Sequence, residues 1–102
     1  MNARSEAFKL KEAVDVAELK ARAKKSCLTF LQNESPLPNG WTPENFMIEF
    51  HRIGLIFEQA NALAPYFETT LTLHYAGLEV GSYKLITSLD GQDLDDYLVF
   101  RE

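Results

Sequence analysis

The sequence predicts an α+β fold: an N-terminal helical part of one or two helices, then a long second helix packed on one face of a C-terminal antiparallel three-stranded meander. Three observations carry this expectation. Apolar residues recur every three or four positions over 16–32 and again over 43–64, the spacing of amphipathic helices. After Pro65 the period falls to two, in a stretch rich in β-branched and aromatic residues. Ala76-Gly77 and Asp90-Gly91 punctuate that stretch as tight turns. With 102 residues, 46% of them hydrophobic, the chain has material for one core, so residues 1–102 are expected to form one domain.

Residues 1–14 read in two ways. Phe8-Lys9-Leu10-Lys11 alternates like an edge strand, whereas Ala7, Leu10, Val14, Ala17 and Ala21 keep helical spacing. Asp15 and Glu18 stand at capping-box spacing and favour a helix start at Asp15. From Val16 to about Gln32 the pattern is unambiguous. Val16, Leu19, Ala23, Cys27 and Phe30 share one face, and Glu18, Arg22, Lys25 and Thr29 line the other. Residues 33–41 form a loop, interrupted by Pro36, Pro38 and Gly40.

A second helix start is expected at Thr42, a good N-cap, with Pro43 at the first helical position. Trp41 and Phe46 then have the spacing of a hydrophobic staple. The predicted helix runs from Pro43 to about Ala64 and stops at Pro65, with Phe46, Phe50, Ile53, Phe57, Ala60 and Ala64 as its core stripe. Gly54 within it costs about 1 kcal/mol relative to alanine. The opposite face carries charges but also Ile48, Leu55, Ile56 and Leu63. Four aliphatics exceed what a solvated face usually keeps, so they are the candidate interface, covered by the first helix or by another chain.

The strands are placed at Thr69 to Tyr75, Glu79 to Ser88 with Gly81 at a bulge, and Asp96 to Arg101. Leu71, Leu73, Tyr75, Tyr83, Leu85, Leu98 and Phe100 are expected to face the helices. Three strands leave two open edges, which invite pairing. A fourth strand from Phe8 to Lys11 would cover one of them; otherwise a second chain would.

Candidate chemistry is sparse. The single cysteine, Cys27, makes no internal disulfide and lies on an apolar helix face, the setting of a small hydrophobe. Asp90, Asp93, Asp95 and Asp96 are the densest polar cluster, but their spacing is not that of an EF-hand, and acids beside an edge strand discourage aggregation. His51 and His74 have no ligand-type spacing to each other or to Cys27. No glycine-rich phosphate loop is present. Neither a metal nor a cofactor is therefore expected, and no cluster specifies an enzyme.

Charge is divided. Residues 1–25 hold seven basic and four acidic groups, while 26–102 hold three basic and eleven acidic ones. An acidic body argues against a nucleic-acid partner. No apolar run reaches membrane-spanning length and Met1 to Lys11 lacks a signal-peptide core, so a cytoplasmic protein is expected. The expected function is a non-enzymatic protein-interaction or self-associating domain, a homodimer or an inhibitor-like binder of a basic partner. The alternative is a small-ligand pocket between helices and sheet, with His74, Tyr75, Tyr83 and Tyr97 as its candidate lining.

Overall fold

A computed structural model describes residues 3–34, 36–57 and 65–101, with side chains from residue 16 onward. Its architecture is α+β: one long helix, α1 (Ala3–Asn33), lies against a four-stranded antiparallel sheet. The strands β1 (Phe46–Ile56), β2 (Tyr66–Tyr75), β3 (Leu78–Ser88) and β4 (Asp93–Phe100) follow one another in space as in sequence. Residues 3–14 continue the helix, so Phe8 to Lys11 is not a strand.

The expected second helix is the main correction. Residues 46–56 are a strand, and the fourth strand comes from here. Its register with β2 shifts between Phe50 and Arg52, leaving His51 as an extra, bulged residue. A bulge reverses the alternation of faces. Phe46, Ile48 and Phe50 face the helix before it, opposite Tyr75, Leu73 and Leu71; Ile53 and Leu55 do so after it, opposite Thr69 and Phe67. The inward set therefore contains the steps of four and three, from 46 to 50 to 53, that a helix would show. The signals at its start also acquire another meaning. Thr42 and Pro43 open only a 3-10 turn (Pro43–Asn45), and Thr42 makes no side-chain cap. Trp41 and Phe46 still meet, edge to face at 5.7 Å, but at the mouth of a strand.

The rest of the meander follows the sequence pattern. β2 and β3 join through Ala76 and Gly77, both with positive φ (52° and 82°), the backbone of a tight hairpin whose twist matches the strands. Gly81 is required by close approach: a Cβ there would lie 2.3 Å from the backbone oxygen of Val99. A register shift sits beside it, between Leu73 and His74.

One helix covers about two strands, because a helix is about 10 Å wide and strands are spaced about 4.8 Å apart. Accordingly, Ala23, Cys27 and Leu31 of α1 are buried against the centre of the sheet, with Leu71 and Leu73 of β2 and Tyr83 and Leu85 of β3, and Leu19 on the same helix stripe is buried as well. The inward residues of the outer strands, Ile48 and Phe50 on β1 and Leu98 and Phe100 on β4, are only half-buried. Each fully buried Leu contributes roughly 1.5–3 kcal/mol. At one end of the sheet Trp41, Phe46, Tyr75 and Phe100 close the core as an aromatic cluster with centroid distances of 4.9–6.1 Å. The Thr42 hydroxyl and backbone N–H both meet the Tyr75 phenol there and hold its pKa below the ordinary value.

Among the described residues, no helix is long and apolar enough to cross a membrane.

Candidate functional site: the groove between helix and edge strand

Successive turns of α1 carry a polar stripe beside its apolar one: Arg22, Lys25, Ser26, Thr29 and Asn33, at steps of three and four. The apolar stripe fixes α1 over β2 and β3, so the polar stripe overhangs the inner side of β4. Between them runs an open groove of about 700 Å³, walled by these helix residues with Phe30 and Glu34, and by Asp93 and Asp96.

Two contacts set its shape. At one end the Arg22 guanidinium donates to the Asp93 carboxylate at 2.7 Å and to the Gly91 carbonyl, tying the β3–β4 turn to the helix. At the floor, the buried Tyr83 donates its hydroxyl to Asp96 at 2.8 Å and meets the Phe30 ring edge-on at 6.1 Å. Burial, then the bond to Asp96, push the Tyr83 pKa far up. The Ser26 side chain, close to the same phenol, acts in the opposite direction. Cys27, next to this floor, is fully buried; desolvation, helped by the Asp96 charge, pushes its thiol up to about 12. It stays a protonated core residue and offers no nucleophile.

The far side of β4 is an open edge among the described residues. The Arg101 N–H donates to the Val80 carbonyl at 2.7 Å, and ladder bonds alternate along an antiparallel strand. Asp95, Tyr97 and Val99 therefore bond to β3, while the backbone groups of Asp96, Leu98 and Phe100 point to the open side. The Asp96 N–H is satisfied locally by the Asp95 carboxylate at 2.8 Å, which also accepts from the Tyr97 hydroxyl at 2.8 Å and raises that phenol's pKa. The outward N–H and C=O groups of Leu98 and Phe100 lie along this open edge.

The residues singled out from the sequence are dispersed. Tyr75 and Tyr83 lie on the helix side of the sheet, one in the aromatic cluster and one on the groove floor. His74 and Tyr97 lie on the opposite side. His74 lines a shallow hollow of about 300 Å³ with Met47, Glu49 and Gly77, and its Nδ1 is 3.7 Å from Glu49 Oε1, too long for a hydrogen bond. Ile48 and Leu55 point towards α1, and Ile56, at the end of β1, points away from it, so they share no helix face; Leu63 falls outside the described residues. The four carboxylates of the acidic cluster take separate partners: Asp90 the Ser88 hydroxyl, Asp93 Arg22, Asp95 Tyr97, and Asp96 Tyr83. Among the described residues no three His, Cys, Asp or Glu side chains converge as a metal site.

Sequence reasoning missed the groove because its walls are assembled by tertiary placement. The one available signal was the stripe Arg22, Ser26, Thr29, Asn33, which reads as a solvated face until a strand is set beneath it.

No family model, curated protein or solved structure matches this chain.

Proposed function

We propose that the chain is a non-enzymatic protein-interaction domain whose groove between α1 and β4 receives an extended, basic segment of a partner protein. The observation that carries this reading is the pairing of a helix-walled groove with an open strand edge, the arrangement in which an added strand gains main-chain hydrogen bonds while its side chains enter a groove. The Leu98 and Phe100 backbone groups supply the hydrogen bonds, and the half-buried inward side chains of the same residues supply apolar contact. Charge favours a basic partner: in the groove wall Arg22 is paired with Asp93, which leaves Lys25 against Glu34 and Asp96, with Asp95 beside them on β4, and residues 26–102 as a whole carry eleven acidic groups against three basic ones. A basic segment is drawn in, and a second acidic β4 is repelled.

A displayed library of extended peptides tests this reading. Selection against the folded chain should enrich Lys- and Arg-containing sequences. Binding should shift the amide NMR signals of Leu98, Phe100 and the α1 groove wall, and Ser26→Trp, which fills the groove, should abolish it. Absence of enrichment, or unchanged binding by the filled variant, would refute the proposal.

The Tyr83–Asp96 hydrogen bond on the floor, beside Ser26 in the groove wall, favours a second reading, a small polar ligand held in the same groove. Tyr83→Phe would then weaken ligand binding, whereas a strand held by main-chain bonds to Leu98 and Phe100 would be little affected.

A further inference from the structure

The opposite edge of the sheet differs from β4 in its defences. β4 is guarded by acids, two of which, Asp93 and Asp96, point inward. Along β1 every inward residue is apolar: Phe46, Ile48, Phe50, Ile53 and Leu55. Its charged side chains, Glu49 and Arg52, project from the outer face, opposite Thr72 and Thr70. No described residue pairs with its free side.

We infer that β1 is a two-fold pairing edge, joining a second copy of this chain strand to strand into a continuous eight-stranded sheet. The occupant is identified by self-complementarity. In an antiparallel pairing of two identical strands, the segment before the bulge in one copy faces the segment after it in the other. Because His51 reverses the alternation, inward residues have odd-to-even partners across such an axis. They meet only if the paired positions sum to an odd number; a regular strand would require an even one.

Placing the axis between Phe50 and His51 satisfies this condition. Ile48 then faces Ile53 of the second copy, Phe46 faces Leu55, and both pairs extend the helix-side core across the interface. On the outer face Glu49 meets Arg52 of the second copy, and by symmetry the reverse, giving two opposite-charge contacts from one strand. Sliding by one step in the same phase sets Glu49 against Gly54 or against Phe50, and both charge contacts are lost. The bulge, ordinarily a device against edge pairing, here selects one register because the two bulges lie opposite each other. The inference is independent of the groove, which lies three strands away.

Sedimentation velocity decides it. The chain should be a dimer at high micromolar concentration and should weaken with rising salt. Glu49→Arg alone, or Arg52→Glu alone, places like charges at both contacts. Each should raise the dimer dissociation constant on the order of ten- to a hundredfold. The double variant Glu49→Arg/Arg52→Glu restores the opposite pairs and should recover the dimer. Both positions are exposed, so the variants should keep the fold, checked by circular dichroism. A monomeric wild type, single variants that dimerise normally, or a double variant that stays monomeric would each overturn the proposal. Peptide binding in the α1–β4 groove, measured on the monomeric Glu49→Arg chain, separates failure of this inference from failure of the groove reading.

Discussion

Replacing Gly81 with alanine should be among the most damaging single-atom additions the sheet can receive. The new Cβ would lie 2.3 Å from the Val99 carbonyl oxygen, 3.1 Å from Phe100 Cα and 3.2 Å from Phe100 Cδ1. A carbon–oxygen contact relaxes only beyond about 3.2 Å, so roughly 1 Å of overlap must be removed, and the main obstacle is backbone. β4 must move away from β3 at its C-terminal end. Overpacking of this kind costs about 1–3 kcal/mol, and stretching one ladder bond adds about 0.5–1.5 kcal/mol. The expected loss is about 2–4 kcal/mol, a fall in Tm of about 4–8 °C for each kcal/mol in a domain near this size. Gly54→Ala is the internal control. Its Cβ meets only Ile56 Cδ1 at 3.7 Å and φ is not positive there, so removing glycine's freedom in the unfolded chain should stabilise by up to about 1 kcal/mol. Urea unfolding followed by circular dichroism reads both as shifts in midpoint at constant slope. A Gly81→Ala variant within 0.5 kcal/mol of wild type, on the order of measurement scatter, would refute the packing of β4 on β3 in this register.

The same unfolding assay tests three further expectations. Leu31→Ala removes a fully buried side chain between α1 and the sheet and should cost about 2–5 kcal/mol. Tyr83→Phe deletes the hydroxyl that donates to Asp96; because water reaches that half-buried carboxylate, the loss should be near the low end for a charged acceptor, about 1 kcal/mol. Stability should also fall in alkali. The Cys27 thiol is raised on folding from 9.0 to about 12, so its contribution is intact below pH 9.0 and is lost as pH climbs towards 12. In that window the unfolded chain has released a proton that the folded one retains. Stability should therefore drop by about 1.4 kcal/mol per pH unit, and Cys27→Ala should remove that slope just above pH 9.0, while the raised Tyr83 adds a comparable one above pH 10.0. A flat profile between pH 9 and 11 in the wild type would contradict the burial of the thiol.

Much of the fold is legible in the sequence wherever a single rule governs a segment. Leu19, Ala23 and Cys27 announce the buried stripe of α1, and the period-two run after Pro65 announces β2, β3 and the faces of Leu71, Leu73, Tyr83 and Leu85. Legibility fails where two rules superimpose. Around His51, strand alternation and a one-residue bulge together reproduce the spacing of a helix, and Thr42-Pro43 is as good an opening for a 3-10 turn as for an α-helix. The β-branched residues Ile48, Ile53 and Ile56, with Gly54 inside the run, were the competing signal; propensity there opposed periodicity, and propensity was right. His74, Tyr75, Tyr83 and Tyr97 were grouped by chemical type, but their alternation along β2, β3 and β4 sends them to opposite faces.

That one correction also explains where the candidate surfaces arise. Two helices over three strands would have covered the inner face of the sheet from edge to edge. Residues 46–56 join the sheet instead, which removes a helix from the covering layer and adds a strand beneath it. A single helix about 10 Å wide then lies over four strands whose outer axes are about 14 Å apart, and it must leave inward side chains uncovered on both flanks. On the β4 flank the deficit becomes a groove, because the polar stripe of α1 overhangs acids and Arg22 holds the turn against the helix. On the β1 flank no residue of the strand itself points a polar side chain inward; the Lys20 ammonium of α1 lies 4.4 Å from the centre of the Phe50 ring, and the half-covered Ile48, Ile53 and Leu55 are left at an open edge. The same shortage of cover thus underlies both proposals: a basic strand of a partner beside β4, and the β1 strand of a second copy completing the core beside β1.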